Sequence, residues 1–278
     1  MHGKRRKHGK GRAGVINLVV VGPNGTLGRA LVKQGAEDPR IRVAAGVGPA
    51  GRDYIGTDLG LLVGLGRSLG AQVVDSLEEA IGGCDVVIDA TRPDVSVEAL
   101  RVCVKHRKPL VTGTTGFSDE QREAMERAAR RIPVLQASNG SRVVHLLYEL
   151  ARIVVERFGK EADIDIVEIH NRGKPDAPSG TALEMASVIA ETLGHDLETV
   201  AEYGREGMGT RRSDAIQFNS IRSGGTPSMH QVIFGFENER LELTHRIHDG
   251  LAFAQGLIEA VVFASGQQPG AYTLDDVI

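Results

Sequence analysis

The feature that most constrains the fold is an apolar strand that runs into a glycine loop and then into a helix. Residues 15–21 form a short, almost continuous apolar run rich in valine, which is typical of a central strand in a parallel sheet. Gly22, Gly25 and Gly28 follow this run, and the next residues repeat apolar positions at helical spacing until Asp38-Pro39. Glycines in this context let a pyrophosphate approach the free N–H groups of the helix start. The loop therefore predicts dinucleotide binding, although glycine turns after strands are also common.

Strand and helix patterns keep alternating through about residue 137. Further strands are predicted at 41–47, 71–74, 84–90, 109–112 and 132–135, with helices at 76–81, 94–106 and 118–130. Ser76 with Glu79, and Ser118 with Gln121, have the spacing of helix-capping boxes, whereas 48–70 is glycine-rich and poorly periodic. This alternation predicts an α/β fold with a Rossmann-like, doubly wound parallel sheet.

The second half of the chain has a different pattern, which predicts an α+β domain with a mixed or antiparallel sheet. Helices are predicted at 143–158, 181–193 and 253–264, with Thr181 and Glu184 as the capping pair of the second, and strands at 164–169, 216–221, 231–236 and 241–246. We expect a disordered basic tail at 1–14 and a dinucleotide-binding domain at 15–140 that residues 248–278 complete. Residues 141–247 would form a substrate-binding and oligomerisation domain.

Composition excludes several classes of protein. The net charge of −3 gives no reason to expect a nucleic-acid partner for the body of the chain. No apolar run approaches the roughly 20 residues of a membrane helix, and the basic start has no apolar core after it, so it is not a secretory signal. Cys84 and Cys103, the only cysteines, lack zinc-ligand spacing and are expected to be free thiols in a reducing cytoplasm.

A second group of chemically active residues lies between 168 and 181. His170 and Lys174 stand four residues apart on a loop that leaves a predicted strand, directly ahead of a Ser179-Gly180-Thr181 helix start. Alone, His170 could be structural and Lys174 a solvated surface lysine. Together with the free N–H donors and positive end of a helix, they favour a site for an anionic substrate that must also be protonated.

A glycine and threonine cluster follows the strand at 109–112. Gly113, Thr114 and Thr115 could present hydroxyls and free N–H groups to a nicotinamide ribose at the carboxyl edge of the sheet. A plain strand-to-helix turn ahead of Ser118 explains the same residues equally well, so the cluster alone does not decide between the two interpretations.

Several of these segments resemble the 4-hydroxy-tetrahydrodipicolinate reductase (dihydrodipicolinate reductase) family of diaminopimelate and lysine biosynthesis. The most specific is the K-x-D-A-P-S-G-T string from Lys174 to Thr181. The other matching segments are 89–93 (DATRP), 113–117 (GTTGF), 222–225 (RSGG), 239–246 (ERLELTHR) and 275–278 (DDVI). The resemblance runs from about residue 15 to 278 in the family's order.

The resemblance implies an NADPH- or NADH-dependent oxidoreductase that acts on a small cyclic dicarboxylate, usually as a homotetramer. His170 would be the acid/base and Lys174 the proton donor, and no metal is implied. The substrate-binding residues would be Asn171, Ser179, Gly180 and Thr181. The cofactor-binding residues would be Gly22, Pro23, Asn24, Gly25, Thr26 and Leu27, then Gly113, Thr114 and Thr115, and lastly Ala137, Ser138, Asn139 and Gly140.

The chain departs from the family pattern at three places. Asn171 stands where a second histidine is usual, and Gly140 replaces the phenylalanine of an Asn-Phe-Ser segment. The acidic residue that normally binds the ribose after the second strand is replaced by Val47 or a neighbour, so that Arg52 or Arg29 could instead favour a 2′-phosphate.

Parts of the sequence are compatible with three other interpretations. A related imine reductase with another cyclic carboxylate substrate is compatible with Asn171. A non-catalytic relative is disfavoured, because the residues from His170 to Thr181 are intact. A metal site built from His230, His245 and His248 is also disfavoured, since His245 alternates with leucines on a predicted strand.

Overall fold

The described residues of the chain form two compact units. A computed structural model of the protein describes residues 14–159 and 161–278. Unit 1 comprises residues 14–142 together with Leu251–Ile278, and unit 2 comprises Val143–Gly250. The predicted tail lies outside the described residues except for Gly14.

Helices and strands follow one another closely along the chain. The first part contains β1 (Ile16–Val21), α1 (Thr26–Glu37), β2 (Ile41–Val47), α2 (Leu59–Leu62), β3 (Val73–Val74), α3 (Leu77–Ala80), β4 (Val86–Asp89), α4 (Pro93–His106), β5 (Leu110–Thr112), α5 (Asp119–Ala129) and β6 (Pro133–Gln136). The second part contains α6 (Arg142–Phe158), β7 (Asp163–His170), α7 (Gly180–Leu193), α8 (Leu197–Val200), β8 (Ala201–Tyr203), β9 (Ile216–Arg222), β10 (Ser228–Gly235), β11 (Arg240–Ile247), α9 (Leu251–Ala264) and β12 (Gly270–Tyr272).

Unit 1 contains the predicted parallel sheet. Its strand order within the described residues is β12-β6-β5-β4-β1-β2-β3, and every neighbouring pair is parallel. Leu18 and Val20 of β1 join the apolar cluster that includes α1 and α9, whereas Val19 and Val21 join the cluster beneath α3, α4 and α5. Helices therefore cover both faces, which explains why β1 is apolar without alternation. The predicted Rossmann-like fold is confirmed.

The mixed sheet predicted for the second half is also confirmed. In unit 2 the described strands are ordered β11-β10-β7-β9-β8, with β10 antiparallel to β7 and β11 and the other pairs parallel. One face packs against α6 and α7, where Ile166, Met185 and Phe234 are fully buried. The opposite face carries partly exposed apolar side chains, namely Val167, Ile169, Ile221, Met229 and Ile233.

Local capping partly differs from the sequence-based prediction. The capping box of α5 is present, because Ser118 Oγ accepts from Gln121 N and the Gln121 side chain accepts from Ser118 N. The capping box predicted for α3 is wrong, since the Ser76 side chain makes no capping bond. Thr181 is not the cap of α7 either: the helix begins one residue earlier, and Ser179 Oγ accepts from Ala182 N at 3.2 Å.

The poorly periodic segment 48–70 contains a short helix that the sequence pattern did not reveal. Asp58 caps α2 and accepts hydrogen bonds from the backbone N–H groups of Gly60, Leu69 and Ala71. One carboxylate therefore organises this loop, although the loop has no hydrophobic periodicity.

Within the described residues, 14–159 and 161–278, no helix is long and apolar enough to cross a membrane.

Candidate functional site

The glycine loop after β1 leaves open space in front of helix α1. Gly22 has a φ of +82°, and a Cβ there would lie 2.7 Å from Thr91 Cγ2. A Cβ on Gly28 would lie 1.9 Å from the Gly22 oxygen, so only glycine allows the helix to pack against the loop. Gly25 is different, because its Cβ would have a single neighbour, the Gly22 oxygen at 3.7 Å. The space beyond Gly25 is therefore available to a ligand.

The start of α1 has the properties of an anion site. Gly25 is its N-cap and provides no side-chain hydrogen bond, and the first N–H groups of any helix lack intrahelical acceptors. Together with the positive end of the helix dipole, these donors suit a pyrophosphate. The loop residues thus fit the diphosphate of a dinucleotide.

The side chain of Arg29 is used inside the protein. Its guanidinium donates to Asn24 O at 3.2 Å, to Asn24 Oδ1 at 2.5 Å and to Leu62 O at 2.7 Å. These bonds fasten the glycine loop to α2 and occupy the side-chain oxygen of Asn24. These contacts within the protein favour Arg52 over Arg29 as the partner of a 2′-phosphate.

A cavity lies at the carboxyl ends of β1, β2 and β3. It has a volume of about 590 Å³, and its lining includes Gly22, Gly48, Arg52, Asp75 and Arg92. Within the described residues, no ion pair is formed by Arg52, Arg92 or Asp75, so these charges are available to a ligand. Strand β2 ends here at Val47, which has no carboxylate. The cavity carboxylate closest in sequence to the end of a strand belongs to Asp75, which directly follows β3. The predicted Arg52 thus lines the cavity, whereas Arg92 and Asp75 were not predicted.

A buried carboxylate organises the next two loops along the same sheet edge. Asp89 ends β4, has no exposed surface and accepts hydrogen bonds from four hydroxyl groups. The donors are Thr91 Oγ1 and Ser96 Oγ, each at 2.5 Å, and Thr112 Oγ1 and Thr114 Oγ1, each at 2.8 Å. These four hydrogen bonds to one buried side chain join the loop after β4 firmly to the loop after β5.

This cluster engages polar groups of two predicted cofactor-binding residues after β5. The hydroxyl of Thr114 is bound to Asp89, and its N–H donates to Thr112 Oγ1 at 3.1 Å. Gly113 N–H donates to Asp89 O at 3.0 Å. The polar groups expected to face a nicotinamide ribose are thus engaged at Gly113 and Thr114, whereas Thr115 is exposed. Gly113 still approaches Leu27 closely, since its Cβ would lie 3.2 Å from Leu27 Cδ2.

The segment after β6 is fixed by contacts within unit 1. Ala137 is buried, and its N–H donates to Thr112 O at 2.9 Å. Asn139 Oδ1 accepts from Ser141 N at 2.8 Å. A Cβ on Gly140 would lie 2.4 Å from Phe253 O at the start of α9. Position 140 therefore has no room for the phenylalanine of the family pattern.

In unit 2, Glu168 and His170 lie on the same face of β7 near its carboxyl end. Glu168 is fully buried, and its Oε2 lies 2.5 Å from His170 Nδ1. Arg222 of β9 donates to both carboxylate oxygens at 2.8 Å. Burial by itself would raise the pKa of Glu168, but the hydrogen bonds from Arg222, Ser220 and His170 outweigh it and hold that pKa below its ordinary value. Glu168 is therefore an anion.

The imidazole of His170 is mainly neutral at pH 7. Burial lowers its pKa, the Glu168 carboxylate acts in the opposite direction, and the positive charges of Lys174 and Arg222 lower it again. The net pKa lies below the ordinary value of 6.5. His170 Nε2 has no hydrogen-bond partner among the residues that the structure describes, so this nitrogen is free to meet a ligand.

The loop after β7 holds Lys174 near its start. Lys174 Nζ lies 2.8 Å from Asp176 Oδ1, and a quarter of its side chain is exposed, at 25%. Arg222 also donates to the carbonyl oxygen of Asp176, and Arg172 N donates to Gly224 O at 3.1 Å. The loop is therefore tied to the end of β9, and it presents an ammonium group on the side of His170.

The start of α7 is open, although Ser179 is not part of the opening. Ser179 is buried, its N–H donates to Glu168 Oε1 at 3.3 Å, and its Oγ lies 3.0 Å from His230 Nε2. The polar groups of Ser179 are engaged within the protein, so this residue stabilises the loop. The geometry does not favour the direct substrate contact that was expected for it. Gly180 is exposed, with no heavy atom within 4 Å of an ideal Cβ.

The other two expected substrate-binding residues have mixed environments. Asn171 is exposed, but its Oδ1 accepts from Gly173 N at 2.9 Å and shapes the loop. Thr181 lies in the first turn of α7, and its carbonyl oxygen accepts from the Tyr148 hydroxyl at 3.3 Å. One strand–loop–helix segment thus carries four of the predicted site residues, namely His170, Lys174, Gly180 and Thr181.

Two further histidines near this segment, His230 and His245, are buried within the sheet. They lie opposite each other on β10 and β11. Burial lowers the pKa of His230 to about 3, so it stays neutral. In the part of the chain described, no three His, Cys, Asp or Glu side chains are grouped so as to hold a metal ion.

Sequence reasoning gave no role to Glu168, Arg222 and Asp89, and it considered His230 only for a metal site that it disfavoured. One signal was available, because Glu168 and His170 alternate on a predicted strand and so must share a face. Arg222 and Asp89 both lie in segments that match the family, but their partners are distant in sequence, and only the fold shows the contacts.

Comparison with known families finds two models that match consecutive parts of the chain. The model described as dihydrodipicolinate reductase, N-terminus, matches residues 16–140, and the one described as dihydrodipicolinate reductase, C-terminus, matches residues 143–278.

Solved structures share the fold over nearly the whole chain. A dipicolinate-bound dihydrodipicolinate reductase from Paenisporosarcina sp. TG-14 is 24% identical, with a TM-score of 0.76, 95% of this chain covered and 99% of that one. An amine dehydrogenase from Mycobacterium smegmatis is 14% identical, with a TM-score of 0.61 and coverage of 96% and 97%. A probable dehydrogenase from Thermotoga maritima is 12% identical, with a TM-score of 0.62 and coverage of 94% and 92%.

Proposed function

The chain belongs to the dihydrodipicolinate reductase family of NAD(P)H-dependent oxidoreductases, and we propose that it reduces 4-hydroxy-tetrahydrodipicolinate to tetrahydrodipicolinate in diaminopimelate and lysine biosynthesis. The overall step takes up one hydride and one proton, and the 4-hydroxyl group leaves as water. The observation that carries this proposal is the segment from His170 to Thr181. It combines a neutral imidazole, an ammonium group and an open helix start. A cyclic dicarboxylate that must accept a proton suits these three groups.

Unit 1 has the residues to hold the nicotinamide cofactor. The glycine loop and the start of α1 would bind its pyrophosphate, since a side chain at Gly25 would fill the space that the loop leaves open. Leu27, Gly113, Thr115 and the backbone at 137–140 would line the nicotinamide end. When bound, the reduced cofactor supplies the hydride for the reduction.

Unit 2 has the residues to bind and protonate the substrate. The N–H groups at Gly180 and Thr181 would donate hydrogen bonds to a substrate carboxylate at the positive end of α7. Lys174 would be the proton donor, because it is the ammonium group on this loop and a quarter of its side chain is exposed. General acid catalysis of this kind contributes about 10²–10⁴ to the rate.

A second candidate is a related imine reductase with another cyclic carboxylate as substrate. It is favoured by Asn171, which is exposed and uncharged where the family pattern has a histidine. Dipicolinate, bound to the relative from Paenisporosarcina, is itself a cyclic dicarboxylate, which supports the first candidate. The two candidates share the fold and the cofactor and differ only in the ring that unit 2 accepts.

The function is tested with a coupled assay that produces fresh 4-hydroxy-tetrahydrodipicolinate. Reduced-cofactor absorbance is followed with NADH and with NADPH in separate reactions. We expect oxidation of the cofactor that depends on both the substrate and the protein. Binding of reduced cofactor without turnover would leave the second candidate, which a panel of cyclic imine carboxylates would then examine.

The cavity at the ends of β1–β3 predicts that NADPH is used at least as well as NADH. Arg52 lines this cavity and forms no ion pair with residues 14–159 or 161–278, and no carboxylate stands at the end of β2. Arg52→Ala should weaken NADPH binding by about 1–3 kcal/mol, the worth of a charge-assisted hydrogen bond, and leave NADH affinity unchanged. Fluorescence titration with each cofactor measures both. A wild-type preference for NADH, or an equal loss for both cofactors, would contradict the prediction.

The exposed face of the unit 2 sheet supports a homotetramer. Val167, Ile169 and Ile233 lie on this face and are only partly covered, although apolar side chains of this size are usually buried. Ile233→Lys should lower the mass found by sedimentation equilibrium, whereas Lys105→Ala on α4 should not. A wild-type monomer would rule out the assembly.

The two cysteines support the cytoplasm as the place of action, because Cys84 and Cys103 are buried free thiols and a reducing compartment keeps thiols in this form.

A further inference from the structure

A buried ion pair between Glu168 and Arg222 contacts the ring of His170. Both residues lie on strands, outside the loop that carries Lys174. Glu168 and Arg222 lie on neighbouring parallel strands, β7 and β9, and form a bidentate contact with both distances at 2.8 Å. Glu168 has no exposed surface, and a third donor, Ser179 N–H, lies 3.3 Å from its Oε1. A buried carboxylate with this set of donors keeps its negative charge.

The ion pair decides which ring nitrogen of His170 carries the proton. An ionised carboxylate can only accept, so the nitrogen 2.5 Å from Glu168 Oε2, His170 Nδ1, must donate. In the neutral ring the proton therefore sits on Nδ1, and Nε2 keeps its lone pair. A carboxylate that orients an imidazole in this way fixes both the tautomer and the direction of the ring.

The remaining neighbours hold the ring from its other sides. His230 of β10 packs edge-to-face against His170 with ring centroids 5.1 Å apart. His230 is itself held by Ser179 Oγ at 3.0 Å, and its low pKa keeps it uncharged. The charged groups that act on His170 are thus Glu168 on β7, Arg222 on β9 and Lys174 on the loop.

We propose that Glu168, held by Arg222, is a positioning residue that keeps the His170 proton on Nδ1 and presents Nε2 as a hydrogen-bond acceptor to the substrate. The proposal rests on the proposed function for what Nε2 meets, but the placement of the proton concerns the substrate-free protein. It assigns proton donation to Lys174 alone, since a neutral His170 has no proton to give from Nε2. His170 then orients the substrate through a hydrogen bond that Nε2 accepts.

The tautomer is measured directly by ¹⁵N–¹H correlation spectra of the wild-type protein labelled at histidine. The spectrum of His170→Gln assigns the His170 signals. We expect a protonated Nδ1 and an unprotonated Nε2 at pH 7. A signal from protonated Nε2 would overturn the proposal, whatever the activity of the enzyme.

Two variants should move the pKa of His170 in opposite directions. Glu168→Gln removes the anion that favours the protonated ring, so the pKa should fall. Arg222→Gln removes a cation that disfavours it, so the pKa should rise. Glu198→Gln is the matched control, because it makes the same substitution at an exposed position of unit 2, on α8. General damage to the fold would not produce opposite signs.

Kinetics complete the test. Glu168→Gln should lower kcat by at least about tenfold and shift the acid limb of the kcat/KM profile, with the KM for reduced cofactor unchanged. If Glu168→Gln does not fold, the wild-type tautomer and the Arg222→Gln titration still decide. Equal shifts in both variants would contradict the proposal. Absence of turnover with the dicarboxylate, together with the expected tautomer, would contradict only the proposed function.

Discussion

Lys174→Ala is expected to lower kcat by about two to four orders of magnitude, the usual contribution of a general acid. The affinity for reduced cofactor should stay unchanged, because Lys174 belongs to unit 2, whereas the proposed cofactor-binding residues belong to unit 1. The fold should also persist, since the lost ion pair with Asp176 is partly exposed and such pairs contribute about 0–1 kcal/mol. Steady-state kinetics and cofactor fluorescence titration measure the two quantities.

Lys174→Arg separates proton donation from charge. Arginine keeps the positive charge and can still pair with Asp176, but it does not release a proton near neutral pH. We expect kcat to fall nearly as far as in the alanine variant, with a smaller change in KM for the substrate. Wild-type turnover in either variant would remove Lys174 from the mechanism.

Gly25→Val should raise the dissociation constant for NADPH and NADH by about two orders of magnitude or more, or roughly 3 kcal/mol. The branched side chain would occupy the space that the loop leaves for the pyrophosphate. The protein should still fold, because Gly25 has a φ of −72° that valine can adopt and a Cβ there would have one neighbour at 3.7 Å. Loss of the glycine N-cap costs only about 1 kcal/mol.

Two further glycines serve as controls for this variant. Gly82 also lies in unit 1, and nothing lies within 4 Å of its ideal Cβ, so Gly82→Val should bind cofactor normally. Gly28→Ala should instead destabilise unit 1, since its Cβ would lie 1.9 Å from the Gly22 oxygen. Thermal unfolding distinguishes the two kinds of effect. Unchanged cofactor affinity in Gly25→Val would show that the loop is only a turn.

The strands and helices of both units could be predicted because their signals are local. β1 and β4 are continuous apolar runs, and the helical period of α1 ends at Asp38-Pro39, so the alternation of elements follows from adjacent residues. Elements with few residues, such as β8 and β12, have no pattern long enough to recognise. The cap of α7 was misplaced by two residues, because Ser179 and Thr181 are both good caps and only tertiary contacts with His230 select the first.

The candidate site was predictable in position but not in its bonding. Lys174 and Gly180 could be placed on one segment because they are close in sequence. The partners of Arg29 and Thr114 could not be predicted, since Leu62 and Asp89 are far away along the chain. A polar side chain beside a ligand loop looks the same in a sequence whether it faces the ligand or holds the loop.

The division of unit 1 into two chain segments affects the order in which the protein can fold during synthesis. Helix α9 packs against α1, and β12 pairs with β6, but both follow the whole of unit 2 in the sequence. Until they emerge, the edge of β6 stays unpaired and the apolar surface of α1 that α9 covers stays exposed, which are the features that promote aggregation. Unit 2 is continuous and has no such delay. A nascent chain therefore passes through a stage in which the later unit can fold before the earlier one, and in that stage the unpaired strand edge and exposed apolar surface make it most prone to aggregation.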